Sequence, residues 1–118
     1  MKVYLINLDR DAERLAHMRK QLNGVAFQRI SAVDGLNDPP TTKGLSRFEL
    51  ACLESHKLAW RQFLNGAEGH ACFLEDDLHV WPGFAKGVGD IHQRVLGGRD
   101  TMHLPHNRES VIRTRPCA

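Results

Sequence analysis

Three consecutive carboxylates, Glu75-Asp76-Asp77, stand at the end of the apolar run Ala71-Cys72-Phe73-Leu74. Acids in that position cannot follow a buried strand into the core, because unpaired buried charge is very costly. They belong at a sheet edge, in water or around a cation, and hard cations such as Mg²⁺ or Mn²⁺ prefer carboxylate oxygens. An acidic turn that caps the following helix is the competing reading of the same triplet. Two further polar clusters follow apolar runs: Asn7-Leu8-Asp9-Arg10 after Val3–Ile6, and Asp34-Gly35 after Ala32-Val33. His56 adds a ligand-capable imidazole, either as a satisfied core residue or as a group reaching a ligand beside the acids.

These groups must be positioned by elements that the pattern predicts in turn. Val3-Tyr4-Leu5-Ile6 predicts a buried parallel strand. A helix follows to about Lys20–Leu22, with Leu15, Met18 and Leu22 at helical spacing and Asp9 or Asp11 as its cap. Asn23-Gly24 stops it. Val25–Ile30 is a weaker strand. Residues 36–44 form a polar, Pro-rich loop. Ser46 with Glu49 three residues later is a capping box, flanked by Leu45 and Leu50 at the staple positions, so a helix runs from Ser46 to about Leu64. Periodicity puts Arg47, Glu54, Lys57 and Arg61 on its polar side. Cys52, Leu53, Ala59, Trp60 and Phe63 fall on its apolar side, with His56 at the centre and Ser55 at the border. The acidic strand comes next, then a helical stripe of Phe84, Val88, Ile91 and Val95, and short strands at 101–104 and 110–113. The alternation implies one α/β domain over residues 1–118, with a mostly parallel sheet. The polar clusters then meet at the carboxyl edge of that sheet, where open α/β folds bind ligands.

Composition narrows the class. The chain has 118 residues, 42% hydrophobic and 25% charged, which suits one globular domain. A net charge of +2 gives no case for nucleic acid or an anionic membrane surface. Three cysteines without a Cys-x-x-Cys pair argue against a zinc framework or a disulfide framework. Neither a signal peptide nor a transmembrane run is evident, so the expected place is the cytoplasm, including a peripheral position at the inner face of the membrane.

Four blocks in register resemble glycosyltransferase family 25, the lipooligosaccharide and collagen galactosyltransferase-like family. They are Val3–Arg10 with Arg14, Ile30–Gly35, Leu45–Cys52 leading to Ser55-His56 and Trp60, and Phe73–Asp77. The resemblance implies a GT-A-like (Rossmann-like) nucleotide-sugar-binding domain. Its expected reaction is inverting transfer of a hexose, often galactose from UDP-galactose, to a saccharide or glycolipid acceptor of lipopolysaccharide type, or to hydroxylysine. Glu75-Asp76-Asp77 matches the family's DxD-like motif. Asp77 would hold Mn²⁺ or Mg²⁺, with Glu75 on the metal, its water or the ribose. As i and i+2 on an extended stretch, Glu75 and Asp77 would point the same way. Asn7 and Asp76 would face the nucleotide sugar, Arg14 a phosphate, Asp34 the uracil or ribose, and Ser55-His56 the donor phosphate or sugar. Arg14 as a solvated helix cation and Asp34 as a turn residue remain the alternatives.

No general base is assigned. The family's catalytic domain is much longer, so the chain matches its N-terminal, donor-binding part, and a truncated sheet would favour self-association. Two other readings compete: a non-catalytic nucleotide-sugar-binding remnant, and a Mg²⁺-binding phospho-acceptor signalling domain. The latter fits poorly, because its acid pair should follow the first strand and a late lysine is needed, whereas no Lys follows Lys86.

Overall fold

A computed structural model describes residues 1–37 and 44–96. The elements alternate: β1 (Lys2–Asn7), α1 (Ala12–Gln21), β2 (Gln28–Ser31), α2 (Arg47–Leu64), β3 (Ala71–Glu75) and α3 (Phe84–Leu96). The three strands are parallel in the order β2-β1-β3, with Ile6 opposite Ile30 on one side and Glu75 on the other. The expected strands at 101–104 and 110–113 lie outside the described residues.

The pleat explains why the centre of β1, Val3-Tyr4-Leu5-Ile6, is apolar without a break. Successive side chains point to opposite faces, and both faces are covered. Val3, Leu5 and Leu74 pack with Met18 of α1 and Leu22 at its C-cap, joined by Phe84 and Val88 of α3. Tyr4, Ile6 and Ile30 pack with Ala59 and Phe63 of α2 on the other face. Tyr4 stacks on Phe73, their centroids 5.4 Å apart, and Phe63 meets Phe73 edge-on. With α1 and α2 on opposite faces, the chain passes from β1 over α1 to β2 on one side, then crosses back over α2 to β3 on the other. The carboxyl ends of β1 and β3 therefore flank the topological switch point.

Local signals behave as expected at α2. Ser46 Oγ accepts from the Glu49 N–H, and the Glu49 carboxylate accepts from the Ser46 N–H, which completes the capping box. After α1, Gly24 takes φ +85°, a conformation open to glycine at little cost. Two readings need correction. Asp11 holds the cap position of α1 without a side-chain cap bond, and Asp9 is engaged elsewhere. The buried face of α2 is also rotated from the periodic expectation. Leu50, Ala51, Ser55 and Ala59 are buried, whereas Leu53 and Trp60 are exposed. Small residues at i, i+4 and i+8 let the helix lie close to the sheet, so the largest apolar side chains are turned outward.

Candidate functional site

An open cleft of about 400 Å³ lies at the switch point. Asn7, Arg10 and Arg14 line it from β1 and the start of α1, and Glu75, Asp76 and Asp77 from the end of β3. Ser55 and His56 line it from α2, with Phe48 beside them. Seven of the eight expected site residues thus share one cavity. Asp34 does not line it.

Asn7 is the hub. It is 2% exposed, and its amide is spent in both directions. Nδ2 donates to Asp76 Oδ2 (2.7 Å) and to the Asp11 carbonyl (3.2 Å), while Oδ1 accepts from Arg29 Nε (2.9 Å). Asn7 therefore fixes Asp76 and the turn into α1. Arg14 Nη1 approaches Asp76 Oδ1 at 3.5 Å and remains 58% exposed, so the guanidinium still faces the cleft. Arg29 reaches over the sheet edge to the Asn7 carbonyl and to Asp9. The Arg29 and Ser31 hydrogen bonds hold the Asp9 carboxyl below the usual carboxylate range.

The acidic triplet is less regular than an extended strand. β3 ends at Glu75, and Asp76 and Asp77 lie in a turn. The period-2 premise that aligned Glu75 with Asp77 thus stops one residue too early. Glu75 Oε1 lies 3.0 Å from His56 Nε2, and Asp76 is held by Asn7 and Arg14. Asp77 is exposed and makes no hydrogen bond or ion pair with the other described residues. Gln21 secures the chain beyond the triplet, donating to the Leu78 carbonyl and accepting from the Val80 N–H.

Ser55 Oγ accepts from the Val33 N–H (2.9 Å) and donates to the Ala51 carbonyl (2.6 Å). Its hydroxyl ties α2 to the segment after β2. Asp34 closes its own turn: its oxygens accept from the Leu36 N–H and the Asn37 amide, with Arg10 Nε at 3.4 Å. The Leu36 hydrogen bond, then Asn37 and Arg10, lowers its carboxyl below the usual range. Beside it, a Cβ on Gly35 would come within 3.0 Å of Phe48 Cδ1 and 3.1 Å of the Arg47 carbonyl. That glycine permits the close approach of the turn to α2 at the cleft wall.

Sequence reasoning passed over Arg10, Phe48, Arg29 and Gln21 as site-building residues. Arg10 stands inside a recognised block and was within reach; Arg29 and Gln21 act through contacts distant in sequence. Among the described residues, Cys52, His56 and Glu75 form a three-residue group with ligand atoms within 4.8 Å of one another. Cys52, however, is disulfide-bonded, so its sulfur is not available as a thiolate ligand. Cys72 is a free thiol, pushed up in pKa by burial.

The cleft can receive an anionic ligand between two arginines and an unengaged carboxylate. No helix among the described residues is long and apolar enough to cross a membrane. A family model described as glycosyltransferase family 25 (LPS biosynthesis protein) matches residues 1–115. A "Glycosyltransferase 25 family member" of Anopheles gambiae is 25% identical over 128 residues, covering 90% of this chain. The chain spans only 22% of that relative's length. No solved structure matches. A family match over nearly the whole chain, on a parallel α/β fold with a polar cleft at its switch point, places this chain in glycosyltransferase family 25.

Proposed function

We propose that the cleft between the carboxyl ends of β1 and β3 binds the diphosphate of a nucleotide-sugar donor, and that the chain serves hexosyl transfer to a saccharide or glycolipid acceptor. The observation that carries this reading is the convergence of Arg10, Arg14 and Asp77 on one open cleft. Forked guanidinium donors match phosphate oxygens. Phe48, exposed at the cleft wall, offers an aromatic face to a nucleobase. UDP-galactose is the donor proposed here, on the family resemblance alone.

A hard divalent cation fits the donor set. Mg²⁺ and Mn²⁺ are commonly held by one or two carboxylates together with substrate phosphates. Asp77 would hold it, with Glu75 close by and oriented by His56. When bound, the ion neutralises diphosphate charge and stabilises the leaving nucleotide. The rest of the site acts on its own residues. Asn7 keeps Asp76 fixed, Asp76 keeps the Arg14 guanidinium over the cleft, and Ser55 fixes the α2 wall. In an inverting transfer the acceptor hydroxyl oxygen attacks the anomeric carbon, the bond to the diphosphate breaks, and a general base takes the hydroxyl proton. None of the residues named here is assigned as that base.

Calorimetric titration of UDP and UDP-galactose, with and without Mn²⁺, tests the donor site. Binding that requires the metal and is lost in Asp77→Ala supports it; binding unaltered by both contradicts it. Because the chain spans about a fifth of its relative, a second reading keeps donor binding without transfer. Galactose transfer to a saccharide acceptor, followed by release of UDP, separates the two.

A further inference from the structure

A second cluster lies at the opposite edge of the sheet. His70 immediately precedes β3, and His92 stands on α3. His70 Nε2 is 2.8 Å from His92 Nδ1, and the Met1 nitrogen is 3.0 Å from that same Nδ1. The two rings lie 4.9 Å apart, tilted by 31°. β3 is five residues long, which puts the pair roughly 16 Å from the acidic triplet at about 3.3 Å per residue.

Hydrogen bonding alone serves this cluster poorly. A neutral imidazole has one N–H and one acceptor nitrogen. If Nδ1 of His92 is the acceptor, its single in-plane lone pair faces two donors, the Met1 N–H and His70 Nε2–H. If Nδ1 carries the proton, the Met1 N–H points at another N–H. Either tautomer leaves one partner badly satisfied. A metal ion resolves the conflict between the rings, because both imidazoles then turn a lone pair to the same centre, and the Met1 nitrogen gives up its contact with Nδ1. Imidazole suits zinc, copper and nickel. Zn–N bonds of about 2.0–2.1 Å at tetrahedral angles set two ligand nitrogens about 3.3–3.4 Å apart, so the rings need part by only about half an ångström.

We propose that His70 Nε2 and His92 Nδ1 form a binding site for a borderline-soft divalent metal of the zinc type, clamping α3 to the start of β3. Water completes its coordination. The site is separate from the cleft and takes a different class of ion, since the cleft offers carboxylate oxygens.

Zinc titration of the whole chain by calorimetry tests this, with wild type, His70→Gln, His92→Gln and, as a control, His17→Gln, an exposed imidazole of α1. Binding of one ion per chain, weakened at least tenfold by either of the first two substitutions and unaltered by the third, is the expected result. Imidazole nitrogen NMR on wild type guards against misfolded variants: zinc should shift His70 Nε2 and His92 Nδ1. Wild-type chain that binds no zinc at millimolar concentration, affinity unchanged in both variants, or resonance shifts confined to His56 would each overturn the proposal.

Discussion

Replacing Asn7 probes the hub on which the cleft depends. In Asn7→Ala, Asp76 loses a 2.7 Å bond, Arg29 loses its acceptor, and the Asp11 carbonyl loses a donor. Hydrogen bonds to charged groups contribute about 1.5–3 kcal/mol and neutral ones about 1. Asp76 keeps Arg14 and Arg29 keeps Asp9, so the sum is offset. A net loss of about 2–4 kcal/mol follows, since networks are not additive. That corresponds to a fall in Tm on the order of 10 °C for a domain of this size. Asn7→Asp keeps the shape but sets a carboxylate against Asp76. Two carboxylates at that distance repel when both are ionised, so taking up a proton in the folded state relieves the pair. A raised folded pKa means stability falls as pH rises from the unfolded value near 4 through the folded one. The deficit of Asn7→Asp relative to wild type should therefore be larger at pH 7.5 than at pH 4.5, as read by denaturant melts at both. A loss under about 1 kcal/mol in Asn7→Ala, below the worth of one such bond, refutes the reasoning, as does a pH-independent deficit in Asn7→Asp.

Gly35→Ala should destabilise by about 1–3 kcal/mol, because the added methyl meets the Arg47 carbonyl and the Phe48 ring at overpacked distances; chemical denaturation measures it. Arg14→Ala should leave stability within about 0.5 kcal/mol, since its ion pair is largely exposed, yet weaken UDP binding at least tenfold in calorimetry. Asp34 has a folded pKa below its unfolded one. Its contribution is present above the unfolded pKa and is lost as pH falls through the folded value. Asp34→Asn should accordingly flatten the acid limb of the stability profile, measured by melts between pH 2 and about pH 5.

Much of the frame was legible because it is written locally. The Ser46–Glu49 box needs only neighbours in sequence, and Val3–Ile6 reads as buried because no face of it is polar. The meeting of the strand ends followed from alternation alone. Other features needed the third dimension. The α2 face was misread because periodicity weighs bulky residues, whereas Ala51, Ser55 and Ala59 are what close packing on the sheet selects. Asn7 looked like a ligand group, but Arg29, twenty-two residues away, takes up its oxygen. Ser55 has the right chemistry for a ligand, yet the Val33 N–H brought near by folding takes up its oxygen, whereas Asp34 follows the local turn reading, its oxygens accepting from the Leu36 N–H and the Asn37 amide. Strand alternation cannot carry the argument that aligned Glu75 with Asp77, because β3 ends at Glu75, although both line the cleft. The phospho-acceptor alternative falls with the family assignment.

The central claim is that the switch-point cleft is the donor site, and backbone amide NMR locates binding directly. With Mg²⁺ present, added UDP should shift Asn7–Arg14, Val33–Gly35 and Glu75–Asp77, and leave His70 and His92 unmoved. Shifts centred elsewhere, with those segments unmoved at saturation, would contradict the account.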